Sequence, residues 1–185
     1  MKINIAKLAL LTVSLIFSVS YAQEKTSDWQ MIEHFQVEND LVKDTTTGLM
    51  WMRCALGQKW DGSTCQGNAL KYTWDNVLRA SDGFNYAGYS DWRIPDFDEL
   101  KTLIYCSSGQ IKNMETIGVP YCKDNFVKPT IAKSVFPETP LGGFWSSELC
   151  AGNNNCRLIV NFNGIYGYGD PQFDSLAVRL VRKAK

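Results

Sequence analysis

The side chains with the most chemical potential are six cysteines, and their spacing assigns them to crosslinks: Cys54 with Cys65, Cys106 with Cys122, and Cys150 with Cys156. Each pair brackets a loop rich in Gly, Ser, Asn or Asp, and short loops close at the least entropic cost. The middle pair encloses 15 residues, for which loop closure in the unfolded chain is worth about 3 kcal/mol. Zinc is the rival use of thiols. The sequence holds no Cys-x-x-Cys and a single histidine, His34, so metal ligation is not expected.

Acid-base and nucleophilic chemistry have little to draw on. His34 lies in a polar leader, the thiols are expected to be oxidised, and no phosphate-binding loop, nucleophile elbow or zinc-protease helix motif occurs. Asp96 and Asp98 are close enough in sequence to suggest a hydrolytic pair, but a helix start explains acidic residues there through the helix dipole. Trp74-Asp75-Asn76 superficially resembles a lectin calcium element, with the order changed and no partner segment present. Asp170 and Asp174 could chelate calcium in their loop, although two solvated loop carboxylates are the commoner case. Gly164-x-x-Gly167-x-Gly169 reverses the dinucleotide fingerprint and precedes a strand, so it is read as a hairpin feature. No catalytic residue, cofactor or metal is expected.

Binding is better supplied. Asn153, Asn154 and Asn155 offer amide donors and acceptors inside the third disulfide loop, which leads to Arg157. Tyr166 and Tyr168 alternate with glycines and precede Asp170, so these seven residues form the expected ligand surface. Trp51, Trp92 and Trp145 are assigned to the core, as large aromatics in a small domain usually are. In Asp91-Trp92-Arg93 the arginine could grip an anion. The expectation is a local ion pair, or bonds to carbonyls, that fixes the turn before a helix.

The elements that must hold these groups can be read from periodicity. Leu41-Val42-Lys43 and Leu49–Met52 flank a polar run ending at Gly48, which predicts a hairpin. Trp74, Val77 and Leu78 recur at helical spacing with Thr73 placed to cap, predicting a helix to Ser81. A second helix follows Pro95, where Asp96 and Glu99 make a capping box and Phe97, Leu100, Leu103 and Ile104 form one apolar face. Residues 106–143 carry four prolines and no sustained period, so they read as a long excursion pinned by the second disulfide. Segments 144–147, 156–162, 165–168 and 177–182 read as antiparallel strands. Strands at both ends around two short helices, with long disulfide-pinned loops, predict an α+β domain.

Lys2 and Lys7, an apolar run from Leu8 to Val19 and the small-residue pattern ending at Ala22 predict a cleaved export signal over residues 1–22. The run is shorter than the roughly 20 residues that span a bilayer. Residues 23–34 follow as a polar leader, and 35–185 form one domain. The chain carries 19 basic and 19 acidic residues. Losing Lys2 and Lys7 leaves the mature chain slightly acidic, which argues against nucleic acid as a general partner. The expected location is the periplasm or the exterior of a bacterial cell, with no membrane-spanning segment after cleavage.

Several ordered motifs carry a family resemblance: Thr47-Gly-Leu-Met-Trp51, Cys54-x-x-Gly57-Gln-x-Trp60-x-Gly62-x-x-Cys65, Tyr72-x-Trp74, Gly88-Tyr-Ser-Asp-Trp-Arg-Ile-Pro95, Glu99-Leu100, Phe136-Pro137, Phe144-Trp-Ser-Ser147, Val160-Asn-Phe162 and Val178-Arg-Leu-Val-Arg182. From about Phe35 to Arg182 the chain resembles the Lcl C-terminal domain family, named after the C-terminal domain of a bacterial collagen-like adhesin. The resemblance implies a C-type-lectin-like α+β fold. For the adhesin that names the family it implies trimeric binding of sulfated glycosaminoglycans. Formylglycine-generating oxidases share a related fold but act through cysteines, and here local pairing uses all six.

These readings converge on an exported binding module, not an enzyme, with a carbohydrate or extracellular-matrix ligand. Two alternatives stand beside it: an assembly protein docking on another envelope protein, and a hydrolase of unrecognised type. The crosslinks are directly testable. Non-reducing peptide mapping is expected to recover 54–65, 106–122 and 150–156, and a peptide joining Cys54 to Cys122 would contradict the assignment.

Overall fold

The computed structural model describes residues 30–113, 120–169 and 173–184. The export signal and most of the leader lie outside them. Residues 30–32, at the end of the expected leader, form strand β1 (Gln30–Ile32), which pairs antiparallel with β2 (Phe35–Glu38). The predicted hairpin follows as β3 (Leu41–Asp44) and β4 (Leu49–Met52). Its turn is organised by Asp44. That buried carboxylate accepts the Thr46 hydroxyl at 2.6 Å and the Thr46 N–H at 2.9 Å, while Gly48 supplies the left-handed residue at φ 68°. Burial works against the charge on Asp44, but the combined hydrogen bonds from Thr46 and Thr47 hold its pKa below the usual carboxylate value.

A short hairpin of β5 (Lys59–Trp60) and β6 (Cys65–Gln66) lies within the first disulfide loop. Helix α1 spans Trp74–Ser81, as the periodicity predicts. Two details differ. The Thr73 hydroxyl makes no capping bond; its carbonyl accepts from the N–H groups of Asn76 and Val77. Leu78, assigned to the apolar face, is 46 % exposed, because Trp74 and Val77 alone fill the contact with the core. Helix α2 (Phe97–Lys101) has the predicted capping box: Asp96 accepts the Glu99 N–H at 2.7 Å, and Glu99 accepts the Asp96 N–H at 2.9 Å. It is shorter than its apolar run suggests, and Leu103 reaches the core from the turn beyond it.

The excursion after Cys106 contains a hairpin that no periodicity announced, β7 (Ile111–Asn113) with β8 (Pro120–Cys122). All three β7 residues are exposed, so no burial pattern marks the strand. Then come β9 (Gly143–Cys150), β10 (Asn153–Asn161) and β11 (Ile165–Gly169), a three-stranded antiparallel sheet with β10 in the centre. Of the final strand expected over 177–182, only β12 (Val181–Lys183) is regular. Upstream its backbone is shared among β9, the end of β4 and two loop residues: Leu176 exchanges bonds with Tyr72, Ala177 with Gly143 and Trp145, and the carbonyls of Val178 and Leu180 accept from Leu56 and Met52. β12 pairs with β4 and closes a five-stranded sheet in the order β1-β2-β3-β4-β12. The architecture is α+β, and all three disulfides join the predicted partners.

Successive side chains of a strand face opposite ways, and here both faces are buried. β4 sends Leu49 and Trp51 into one core and Met50 and Met52 into another. Phe144, Val160, Ala177 and Val181 join the first; Trp145, Ile159, Val178 and Leu180 join the second. Trp51, Trp92 and Trp145 are all core residues, as expected. Trp145 fits only because Gly169 lacks a side chain: a Cβ there would lie 2.4 Å from the indole.

Arg179 is fully buried between these layers. Its guanidinium donates to the carbonyls of Met52 and Arg53 and, at 2.8 Å, to the Thr139 hydroxyl, and sits 4.7 Å over the Phe136 ring. Loss of hydration lowers its pKa to about 9, partly offset by Tyr86. Arg179→Met leaves three acceptors without this donor, two of them in buried contacts, and a buried acceptor left unmet costs about 1–3 kcal/mol. The substitution is expected to lower unfolding free energy by at least about 2 kcal/mol, read from urea midpoints with the disulfides intact.

Arg93 grips Glu99 through two bonds of 2.6 and 2.5 Å, making the capping carboxylate an ion pair as well. Burial raises the Glu99 pKa, but the Arg93 hydrogen bonds, then the Asp96 N–H, more than reverse it, so the net shift is downward. A carboxyl whose folded pKa is depressed stabilises fully above its unfolded value, about 4.3. That contribution disappears as pH falls through the folded pKa. Glu99→Gln is therefore expected to be less stable than the parent at pH 7, with the difference shrinking below about pH 4. Paired urea titrations across that range check the sign.

Candidate functional site

An open cleft of about 740 Å³ lies where α1 faces the segment leading into α2. One wall is helical, formed by Trp74, Leu78, Arg79 and Ser81, with Asp82 at the helix end. The opposite wall is Trp92, Arg93, Ile94 and Asp96, and Ser147 of β9 closes one end. The second wall has no regular structure but is held on three sides. Arg93 exchanges backbone bonds of 2.9 Å with Val181, the Ser147 N–H donates to the Pro95 carbonyl at 2.8 Å, and the Trp92 indole N–H donates to the Tyr86 carbonyl at 3.0 Å. A wall pinned in this way holds its polar groups in a fixed arrangement.

The floor is the edge of the second core. Trp74 is 7 % exposed and meets Trp145 edge to face at 5.8 Å, and the Trp145 N–H donates to the Tyr72 carbonyl at 2.7 Å. Over the Trp74 ring, 3.6 Å from its centre, lies the Arg157 guanidinium. Arg157 also donates to the Ser147 carbonyl at 2.6 Å, and burial lowers its pKa. The rim carries both signs of charge. Arg79 is exposed and bonded to Asn76 at 2.5 Å; Arg93 has its pKa raised chiefly by the hydrogen bonds to Glu99; Asp82 is exposed, and one Asp96 oxygen serves the helix cap.

Of the expected ligand residues, Asn153, Asn154 and Asn155 are exposed at the start of β10, with Asn153 opposite Cys150 and its side chain accepting the Asn155 N–H. Arg157 is committed to Trp74 and Ser147, on the cleft side. Tyr166 and Tyr168 stand in register opposite Val160 and Leu158. Asp170 lies outside the described residues. Asp91-Trp92-Arg93 forms two ion pairs: Arg93 with Glu99, and Asp91 with the buried Arg182, whose guanidinium also stacks 3.8 Å over Tyr89. The cleft joins residues that sequence reasoning treated separately as helix and turn. The one available signal was Leu78, an apolar residue on a helix whose inner face was already filled by Trp74 and Val77.

The groups considered for catalysis have structural engagements. Asp98 pairs with Lys101 at 2.6 Å, and His34 lies against the Phe35 ring in a tilted contact with its Nε2 4.0 Å from Asp44. A second recess of about 440 Å³ between the 47–49 turn and α2 is lined by Asp96, Asp98, Glu99 and Lys183, so it shares its carboxylates with the cap and these pairs. Among the described residues no group of three or more His, Cys, Asp or Glu is arranged to hold a metal, and no helix is long and apolar enough to cross a membrane.

Comparison with curated proteins and with solved structures finds no match. The family comparison does. The model of the Lcl C-terminal domain matches residues 40–182, a span that includes both helices, the whole cleft, the second core's buried residues and all of the first core's except Phe35 and Val37. The chain belongs to the Lcl C-terminal domain family.

Proposed function

We propose that this protein is an exported carbohydrate-binding module of C-type-lectin-like architecture whose ligand seat is the cleft between α1 and the 92–96 segment. The observation that carries this reading is the convergence of Arg79, Asp82, Arg93 and Asp96 around an apolar floor in a cleft with a pinned wall. A sugar presents hydroxyls, each a donor and an acceptor, around an apolar C–H face. Arginine donates to hydroxyls, aspartate accepts from them, and Leu78 with the indole edges meets the C–H face. Three disulfides suit an oxidising compartment, either the periplasm or the cell exterior. Binding is favoured over hydrolysis because the candidate acids Asp96, Asp98 and Glu99 serve in a helix cap and in ion pairs.

A glycan array on the mature protein tests the reading. Arg79→Ala and Asp82→Ala are each expected to weaken retention at least about tenfold, the loss of one charge-assisted hydrogen bond, with an unchanged melting temperature. If only the Tyr166→Ala/Tyr168→Ala double variant loses retention, the seat is the Asn153–Asn155 face of the β10–β11 hairpin. Silence across the array returns the protein to docking on another envelope protein, and turnover of chromogenic glycosides would make it a hydrolase.

A further inference from the structure

We infer that the sugar seated in this cleft is uncharged, because the guanidinium groups around it are matched by carboxylates. The inference rests on the carbohydrate reading and narrows it. Two cations line the cleft, Arg79 and Arg93, and a third, Arg157, stacks on the Trp74 ring without lining it. Three carboxylates accompany them: Asp82 and Asp96 on the rim and Glu99, bonded twice to Arg93. The fields of the two sets largely cancel within the cleft. A polyanion bound by ionic attraction needs several free cations whose counterions it can displace. Here Arg93 is already neutralised, Arg157 is shielded by the indole and the Ser147 carbonyl, and Arg79 alone extends exposed on its wall. A sulfate or carboxylate drawn to Arg79 also approaches Asp82, three residues further along the same helix end.

An uncharged polyol meets no such conflict. Its hydroxyls donate to Asp82 and Asp96 while accepting from Arg79 and Arg93, so rim groups of both signs are used at once. Because the face of Trp74 is covered by Arg157, the sugar's C–H surface falls on the half-exposed Leu78 and the indole edges, not on a stacking platform. Arg157 is then a positioning residue, holding Trp74 and Ser147 in the cleft wall.

The test uses the full mature chain with labelled neutral hexose and N-acetylhexosamine oligosaccharides and, in parallel, size-matched sulfated heparin oligosaccharides, at about 50 and 200 mM salt. A neutral oligosaccharide is expected to bind with Kd changing less than about twofold between the two salts. Asp82→Lys is expected to lose that ligand at least about tenfold and to gain salt-sensitive retention of the sulfated one. Arg79 and Asp82 are both exposed, so folding is confirmed by unchanged melting temperatures. Sulfated sugar bound by the parent, weakened steeply by salt and abolished by Arg79→Gln, with no neutral sugar retained, overturns this inference and leaves the carbohydrate reading standing. Retention of neither class overturns both.

Discussion

A guanidinium sealed from water must find acceptors inside the protein, and Arg179 finds them on the backbone where β4 ends. The demand runs both ways. The chain leaves β4 into loops without strand partners, and their carbonyls need donors that no ladder provides. Other arginines answer the same need: Arg53 donates to carbonyls of Asn39, Ser134 and Val135 while stacking 3.9 Å over Trp60, and Arg157 reaches Ser147 from Trp74. A planar, permanently charged group with donors along its edge and an aromatic contact on its face suits this work, and lysine would not replace it. Arg182 and Arg93 do the equivalent with carboxylates, fastening the 91–96 segment to β12 and to α2.

These fastenings matter because β4 and the inner parts of β9 and β10 are buried on both faces. With side chains of β4, β9 and β10 feeding two cores in alternation, neither core can shift without moving the other. The last described segment, 176–184, contributes to both and closes the five-stranded sheet beside β4. The cleft lies at the margin of the second core, where Trp74 and Trp92 are buried from within and present only their edges. Its shape therefore follows from core packing, while its chemistry comes from the residues that flank the packed ones: Arg79 and Asp82 after Val77, and Arg93 and Asp96 around Ile94.

Much of this was legible in the sequence wherever cause and effect lie within a few residues. The capping box of Asp96 and Glu99 needs only their spacing, the β3–β4 hairpin needs only a polar turn ending in glycine, and near-neighbour cysteines find each other at small entropic cost. The family motifs were legible for the same reason, as short strings in a fixed order. The β7–β8 hairpin was not, because a strand exposed on both sides leaves no hydrophobic period to read.

What the sequence by itself determined, then, is the set of local units: two short helices, the main hairpins, three crosslinks and the core placement of Trp51, Trp92 and Trp145. Tertiary structure alone decided where those units meet. The Trp145 indole bonds to Tyr72 across 73 positions and Arg179 to Met52 across 127. Contacts of that separation depend on how whole sheets pack, which periodicity does not encode. The same packing turned Leu78 outward, laid Arg157 over Trp74, and set two walls, each carrying both signs of charge, on either side of one cleft. A cleft is a relation between surfaces, and this one exists only because α1 and the 92–96 segment both pack on the second core.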